Sequence, residues 1–504
     1  MTVRINRRTF CSTALTASFL AWNHGFSRPN LKRDYEYHAI VTQALNLPVP
    51  EGHRVAFGME YFTLDKGEGL LLQPPKLSKK FQGRILLRLQ VAIDTRAMDE
   101  VEVLLAKSNR KIGHLSIWYP TGLQIFETLL DCDVKTLQEE GIRLRIANGD
   151  KPIYFLSTSP TNGSHFLAVH RIAIKPDWHQ ILCSERSLQP FSWLEGCVLD
   201  GLHELYVRKN DVLAYRTLNT HLDRYLVDDE NLIYVDLWAR PSDNVFNNLE
   251  TGNNFAQIAR YRPKHPSINL FLEFCKKRFD STGKFLPDHL TQEGVYTLAY
   301  PLAVLGNQLK DHQLLKMSLT ETEERVEHLL KNGSIYRMGS RTKGVNELDR
   351  NWTRGVVWFL LGLARTLEQL VEGPLKKEVR VSRLIEVFKE SAALVLRYQQ
   401  PDHSWKSFLD LNETFYETSG TAGLAAAMAI GHRMGWLPEF DQKRLALVNE
   451  RLQKSMTPDG FLKHTTQHNA GSYKLMQMGE YRVISQYTLG FVGIINAHID
   501  ANRN

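Results

Sequence analysis

Five short stretches of this 504-residue chain gather side chains suited to handling an acidic sugar. They are "NNLETGNN" with Glu250, "DHLTQEGVY" with His289 and Glu293, and "DRNWTRG" with Asp349, Trp352 and Arg354. The fourth is "FYETSGT" with Glu417, Thr418 and Ser419, and the fifth is "HTTQHNAGSYKLMQMGEYR" with His464, His468, Tyr473, Tyr481 and Arg482. A positioned carboxyl moves protons, and an arginine or a helix N-terminus holds a carboxylate. An indole offers a flat apolar face to a pyranose ring. Each residue also has a purely structural reading. Thr418 or Ser419 serves as a helix cap, Glu250 or Glu417 complements a helix dipole, Arg354 pairs on a surface, and a Trp fills core. What points to a site is that acids, arginine and indoles recur at one kind of place in the fold.

That place is the start of a buried helix. After Pro176 and Trp178 the apolar period is helical to the end of the chain. Helices are expected to start near Trp193, Thr251, Glu293, Thr353, Thr418 and Arg482, with others at about 211–226, 265–279, 311–331, 378–399 and 438–455. The helix from Thr353 and the run "TAGLAAAMAIG" from 421 are apolar nearly all round, as helices buried on every side must be. "VSRLIEVFKESAALVLRYQQ" keeps a polar stripe and can face water. Inner helices alternating with outer ones run parallel, so their N-termini converge on one mouth. The expected fold is mainly α: an (α/α)6 barrel of helical hairpins over 185–504, preceded by an all-β, sandwich-like domain over 36–175. In that first half "RILLRLQVAI" sets Leu87, Leu89, Val91 and Ile93 on one face with Arg88 and Gln90 between them. "IRLRIANGDKPIYFLS" turns at Asn148–Asp150, and Trp118 and Tyr119 read as packing aromatics or as a sugar platform.

Composition is that of a globular chain, 43% hydrophobic and 23% charged, with a net charge of +7 spread along its length. There is no nucleic-acid motif, so no such partner is expected. Residues 1–30 combine Arg4, Arg7 and Arg8 with Phe10 and an apolar run, and resemble a twin-arginine export signal. Export to the periplasm or beyond is the expectation, with no membrane association after it. The five cysteines form no Cys/His metal pattern. No metal is expected; Cys132, Cys183, Cys197 and Cys275 read as buried thiols or as two disulfides.

Three segments carry a resemblance. "NWTRGVVWFLLGLART" looks like the Trp-x-Arg-Gly-x-x-Trp segment of unsaturated glycuronyl hydrolases, glycoside hydrolase families 88 and 105. "SWKSFLDLNETFYETSGTAGLAAAMAIG" is similar to their Trp-x-x-x-Leu-Asp…Glu-Thr-Ser segment, and "QEGVYTLAYPLAVLG" to their Asp-Gly-Leu-Tyr-Met-x-x-Pro segment. The likeness covers about 185–500 and leaves out the β-rich half. It implies an (α/α)6 barrel, an oligosaccharide substrate ending in a 4,5-unsaturated uronic acid, and no cofactor. It also implies a reaction in which a carboxyl protonates C4, water adds at C5, and the hemiketal opens to expel the neighbouring sugar. The family's proton-transferring aspartate falls on Glu293 and its second active-site aspartate on Glu250. Trp352 and Arg354 match as substrate contacts. His289, Glu417, Thr418, Ser419, His464, His468, Tyr473 and Tyr481 complete the expected binding set. Each Glu carries one more methylene than Asp, a displacement above about 1 Å that can cost roughly a hundredfold in rate.

Two other readings stay open. The chain is a uronidase on saturated uronosides or a toroid-fold polysaccharide lyase, with the histidines and tyrosines of 464–481 as base and acid. Otherwise it is a non-catalytic glycan binder in which the two Asp-to-Glu departures mark lost chemistry.

Overall fold

The computed structural model describes residues 34–42, 46–78, 80–171, 176–246, 248–347, 350–467 and 474–500. The export-type N-terminus lies outside these, as do Asp349, His468 and Tyr473. The period-two region forms β1 (Tyr35–Ala39), β2 (Tyr61–Leu64), β3 (Leu70–Leu72), β4 (Arg84–Gln90), β5 (Met98–Leu105), β6 (Lys111–Trp118), β7 (Ile125–Leu129), β8 (Ile142–Asn148), β9 (Ile153–Leu156) and β10 (His165–Val169). One antiparallel sheet has the order β1-β10-β4-β7 and a second β3-β8-β5-β6, while β2 pairs with β9. Alternation explains the packing: Ile85, Leu87 and Leu89 of the first sheet share a core with Val101, Val103, Ile142 and Leu144 of the second. The turn after Asn148 separates two strands that join different sheets.

The other face of β4 departs from the alternation picture, because Arg88 and Gln90 do not face water. Arg88 is fully buried, with Nη1 donating to Asp459 Oδ2 at 2.6 Å and Nη2 to Asp459 Oδ1 at 2.9 Å and to Glu127 Oε2 at 2.5 Å. Asp459 belongs to the helical half, so that half covers the face. A buried arginine is tolerated here because two carboxylates share its charge.

The helical half contains, after a short α1 (Val134–Glu140) in the β-rich region, α2 (Trp178–Leu182), α3 (Trp193–Lys209), α4 (Val212–Tyr225), α5 (Asn254–Tyr261), α6 (Ser267–Arg278), α7 (Tyr300–Leu309), α8 (His312–Leu329), α9 (Thr353–Glu372), α10 (Val379–Leu396), α11 (Thr418–Arg433), α12 (Gln442–Gln453) and α13 (Thr488–His498). Contacts run α3–α5–α7–α9–α11–α13 and return from α13 to α3. On these lie α4, α6, α8, α10 and α12, each against the inner helix before it, while the five-residue α2 packs on α13. Glycine sets the closest approaches. A Cβ on Gly490 would sit 1.9 Å from Cys197 O, and one on Gly423 would sit 2.3 Å from Val357 Cγ1. These contacts pair early positions of neighbouring helices, so the inner helices run parallel and their starts lie together.

Three expected starts are met at Trp193, Thr353 and Thr418. The helix expected at Thr251 is a 3-10 turn there and becomes α-helical at Asn254; the one expected at Glu293 passes through a π-helical turn, Val295–Ala299, before α7. The last helix starts at Thr488 rather than near Arg482, because Val483 is held extended against Thr465. Cys132, Cys183, Cys197 and Cys275 are free thiols. No helix among the described residues is long and apolar enough to cross a membrane.

Candidate active site

Glu250 lies in the 3-10 turn Leu249–Thr251, whose backbone is fixed by the Asn248 side chain accepting from Glu250 N at 2.8 Å. That turn contacts the π-helical turn following Glu293, which brings the two carboxyls together at the start of α7. Burial and the charge of Glu293 push the Glu250 carboxyl up to about 7 from its ordinary 4.5, with Asp236 adding to the rise and Arg96 and Arg337 opposing it. Glu293 faces the Arg337 guanidinium, Oε1 to Nε at 3.8 Å. Glu293 Oε2 and both amide atoms of Gln292 are buried without a hydrogen-bond partner among the described residues. Buried polar groups are rarely left in that state, and clusters of them mark places where another molecule belongs. A carboxyl poised near neutrality beside a second one is equipped for proton transfer.

Trp352 and Arg354 stand close by but face different ways. The Trp352 ring has the Arg337 guanidinium 5.3 Å and the Arg354 guanidinium 5.0 Å from its centroid, and its Nε1 donates to Gln477 Oε1 at 3.1 Å. Arg354 is buried. Its Nη1 donates to Thr466 O at 2.8 Å, and its Nη2 to Gln467 O at 3.1 Å and Gln477 Oε1 at 3.2 Å. This arginine therefore ties Thr466, Gln467 and Gln477 to the start of α9 instead of standing open at the mouth. Trp358 lies deeper, 4.9 Å from Trp193 and 6.1 Å from the stacked Tyr296 ring, and is core.

The remaining expected residues divide. Glu417 caps α11, accepting from Ser419 N at 3.1 Å and Gly420 N at 2.5 Å, and its Oε1 also accepts from Thr466 N at 3.1 Å. Ser419 Oγ donates to that carboxylate at 2.6 Å, and Thr418 bonds Thr465 through their hydroxyls at 2.8 Å. All three are buried and bind protein, the arrangement the capping reading describes. His289 is exposed on a short strand paired with Met338–Ser340, the segment directly following Arg337, and so borders the carboxyl pair. His464 is exposed, in a left-handed conformation with φ 66°, near Tyr416. Tyr481 is turned to the β-rich half: it stacks on Trp118 at 4.3 Å and donates to Ser116 O at 2.8 Å. That stacking uses Trp118 for packing rather than as a sugar platform.

Several residues at this mouth were not among those expected from sequence: Gln292, Arg337, Gln477, Trp238 and Arg96. Arg337 sits between two short strands and Arg96 in a turn of the β-rich half, and neither position carries a local pattern. Trp238 lies in a loop ordered by Asp236, whose Oδ1 accepts from Trp238 N at 2.8 Å.

Residues 296–502 match the model of Glycosyl Hydrolase Family 88. The match contains Trp352, Arg354 and the 417–419 segment, and begins just after Glu293. No curated protein matches the chain. Among solved structures it is similar to a possible GH105 member from Salmonella enterica serovar Paratyphi A, at 16% identity and TM-score 0.52, covering 65% of this chain and 85% of that one. It is also similar to a family 105 glycoside hydrolase from C. acetobutylicum, at 18% identity and TM-score 0.51, covering 62% and 94%. At these identities the structural likeness speaks for the fold; the family model carries the assignment as a glycoside hydrolase.

Proposed function

Starting from a glycoside hydrolase whose helical half is of the family 88/105 kind, we propose that this chain removes a terminal 4,5-unsaturated uronic acid from an oligosaccharide. The observation that carries the reading is the coupled carboxyl pair, with Glu250 lifted to about 7 beside Glu293. A carboxyl lifted to about 7 can hold or release a proton near neutral pH. In the reaction the pair gives that proton to C4 of the vinyl ether, and C5 takes hydroxide from a water whose proton returns to the pair. The C5 hemiketal then opens and the bond to the next sugar breaks. Glu293 is assigned the transfer to substrate, with Glu250 setting the charge beside it. Trp352 and Arg337 provide a flat face and a cation for the planar uronate, and Arg354 fixes the loop that backs them.

In this reading the closed ring of helices is an (α/α)6 barrel over 185–504 and the two sheets form a sandwich over 36–175. The twin-arginine-like residues 1–30 are read as an export signal. A panel of lyase-generated oligosaccharides tests the activity by loss of the ultraviolet absorbance of the conjugated uronate. Wild type is expected to bleach at least one of them and Glu293→Gln none, with the variant folded and its thermal midpoint no lower than that of wild type. Full activity in that variant overturns the assignment of Glu293. Gain of absorbance on an intact polysaccharide would instead mark a lyase.

A further inference from the structure

Two arginine–indole pairs flank the carboxyl pair. On the Glu293 side stand Arg337 and Trp352. On the Glu250 side stand Arg96 and Trp238, with the Arg96 guanidinium 5.0 Å from the indole centroid. Arg240 approaches the same ring at 4.6 Å, but it is largely exposed and tied to Asp236 at 2.6 Å. Arg96 acts on Glu250 electrostatically, as Arg337 does, which places each cation near the pair.

Arg96 comes from the β-rich half, and its position is built. It lies in the turn before β5 with φ 48°, a left-handed conformation uncommon for a residue with a side chain and found where surrounding structure imposes it. Asp94 imposes it here: Oδ1 accepts from Arg96 N at 2.7 Å and Oδ2 faces Arg96 Nε at 2.5 Å. The loop carrying Trp238 is fastened to the same half. Arg54 N donates to Ala239 O at 2.8 Å, and Val235 and Ala239 share an apolar cluster with Ala92 and Ile93, just ahead of the turn. Asp94 takes only the backbone and Nε side of Arg96. The two Nη groups make no hydrogen bond to the described residues, and the side chain is 31% exposed. An arginine fork with its Nε face neutralised and its Nη donors open suits bidentate contact with an oxyanion.

We propose that Trp238 and Arg96 form a second sugar subsite on the leaving-group side of the carboxyl pair, selecting substrates whose second sugar bears a carboxylate or sulfate. The proposal rests on the hydrolase reading above. The uronate lies over Trp352, the bond to be broken lies at Glu293 and Glu250, and the next ring lies over Trp238 with its acidic group at Arg96.

The test compares matched unsaturated disaccharides whose second sugar is neutral, carboxylated or sulfated. In Arg96→Gln the ratio of kcat/KM for acidic over neutral second sugars is expected to fall about tenfold, mostly through KM. The ratio cancels any effect on Glu250 common to all substrates. Trp238→Leu is expected to raise KM for all three, and Arg96→Lys to keep part of the preference. An unchanged ratio in Arg96→Gln, or no acidic preference in wild type, overturns the proposal. Calorimetric binding of saturated, uncleavable disaccharides of the same three kinds needs no turnover. Should no substrate be consumed, a wild-type preference for acidic ligands that Arg96→Gln abolishes still supports the subsite while the hydrolase reading fails. Equal binding of all three kinds sinks the subsite.

Discussion

Replacing Glu250 by Gln should make the protein more stable, and by an amount that depends on pH. The folded carboxyl titrates at about 7 and an ordinary one at 4.5. Below 4.5 both folded and unfolded states hold the proton, and the group is neutral to stability. Between 4.5 and 7 the unfolded chain releases its proton while the folded chain keeps it, so stability falls as pH rises. At about 1.4 kcal/mol for each pH unit, the loss reaches roughly 3 kcal/mol by pH 7 and then levels off. Gln occupies nearly the same volume and does not titrate. The difference in unfolding free energy between Glu250→Gln and wild type should be near zero at pH 4.5 and should favour the variant by about 3 kcal/mol at pH 8. Urea titrations at half-unit steps measure it, and groups common to both proteins cancel. A part of the rise comes from Glu293, so adding Glu293→Gln to the wild type should shrink the effect without abolishing it. A difference that stays flat from pH 4.5 to 8, or that favours Glu at high pH, would refute the burial argument. Activity is expected to move the opposite way, with turnover lost in the more stable variant.

Two further outcomes concern the joints of the fold. Gly490→Ala places a methyl 1.9 Å from the Cys197 carbonyl oxygen, backbone against backbone, so α3 and α13 must separate; a cost at or above roughly 3 kcal/mol is expected in chemical denaturation. Arg88→Met leaves Asp459 as a buried charge between the two halves and Glu127 as a partly buried one. A loss of about 3–5 kcal/mol is expected, partly recovered in Arg88→Met/Asp459→Leu, whereas an equal loss in the double variant would deny the pairing. Against the upward pull of burial, Arg88 holds the Asp459 carboxyl far below its usual range, so this contribution is lost only in strong acid.

The helical half was legible in sequence where one helix carries its own signal. Val356 to Ala364 is apolar on every side because α9 has neighbours on every side, and the charged start at Arg354 is resolved by carbonyls from a distant loop. Starts at Thr353 and Thr418 show because the chain must leave extended structure there, with Glu417 capping the second. The start of α13 does not show. "YRVISQYTLGF" is apolar through both its extended and helical parts, and only the pairing of Val483 with Thr465 marks the change. The carboxyl pair was legible as two acids at helix starts, but the lift of Glu250 comes chiefly from its burial and from Glu293, with Arg96, Asp236 and Arg337 adjusting it. Arg96 is separated from Glu250 by over a hundred residues and lies in another half, so no spacing rule reaches it. Likewise Arg88 reads as the polar side of an alternating strand until Asp459 covers it.

These placements bear on what the β-rich half is for. Its polar contacts with the helical half include Asp459, Gln467 and Tyr481 on one side and the loop 235–243 on the other. Arg88 binds Asp459, Gln467 Nε2 donates to Trp118 O at 2.9 Å and Gln124 Oε1 at 3.0 Å, and Tyr481 stacks on Trp118. Arg54 bridges to Asp243 through Nη1 at 2.7 Å and to the Tyr234 carbonyl at 2.7 Å. The residues leading to Gln467 supply the carbonyls that hold Arg354 against Trp352, and the 235–243 loop carries Trp238 with Arg96 over its ring. The sheets therefore reach the candidate site by fixing its two walls, and through Arg96 they add a group of their own. A module attached only to bind glycan elsewhere has no need to bury an ion pair against the helical half. An enzyme whose site walls are braced from a second half does, because misplacing either wall by an ångström carries a large rate penalty.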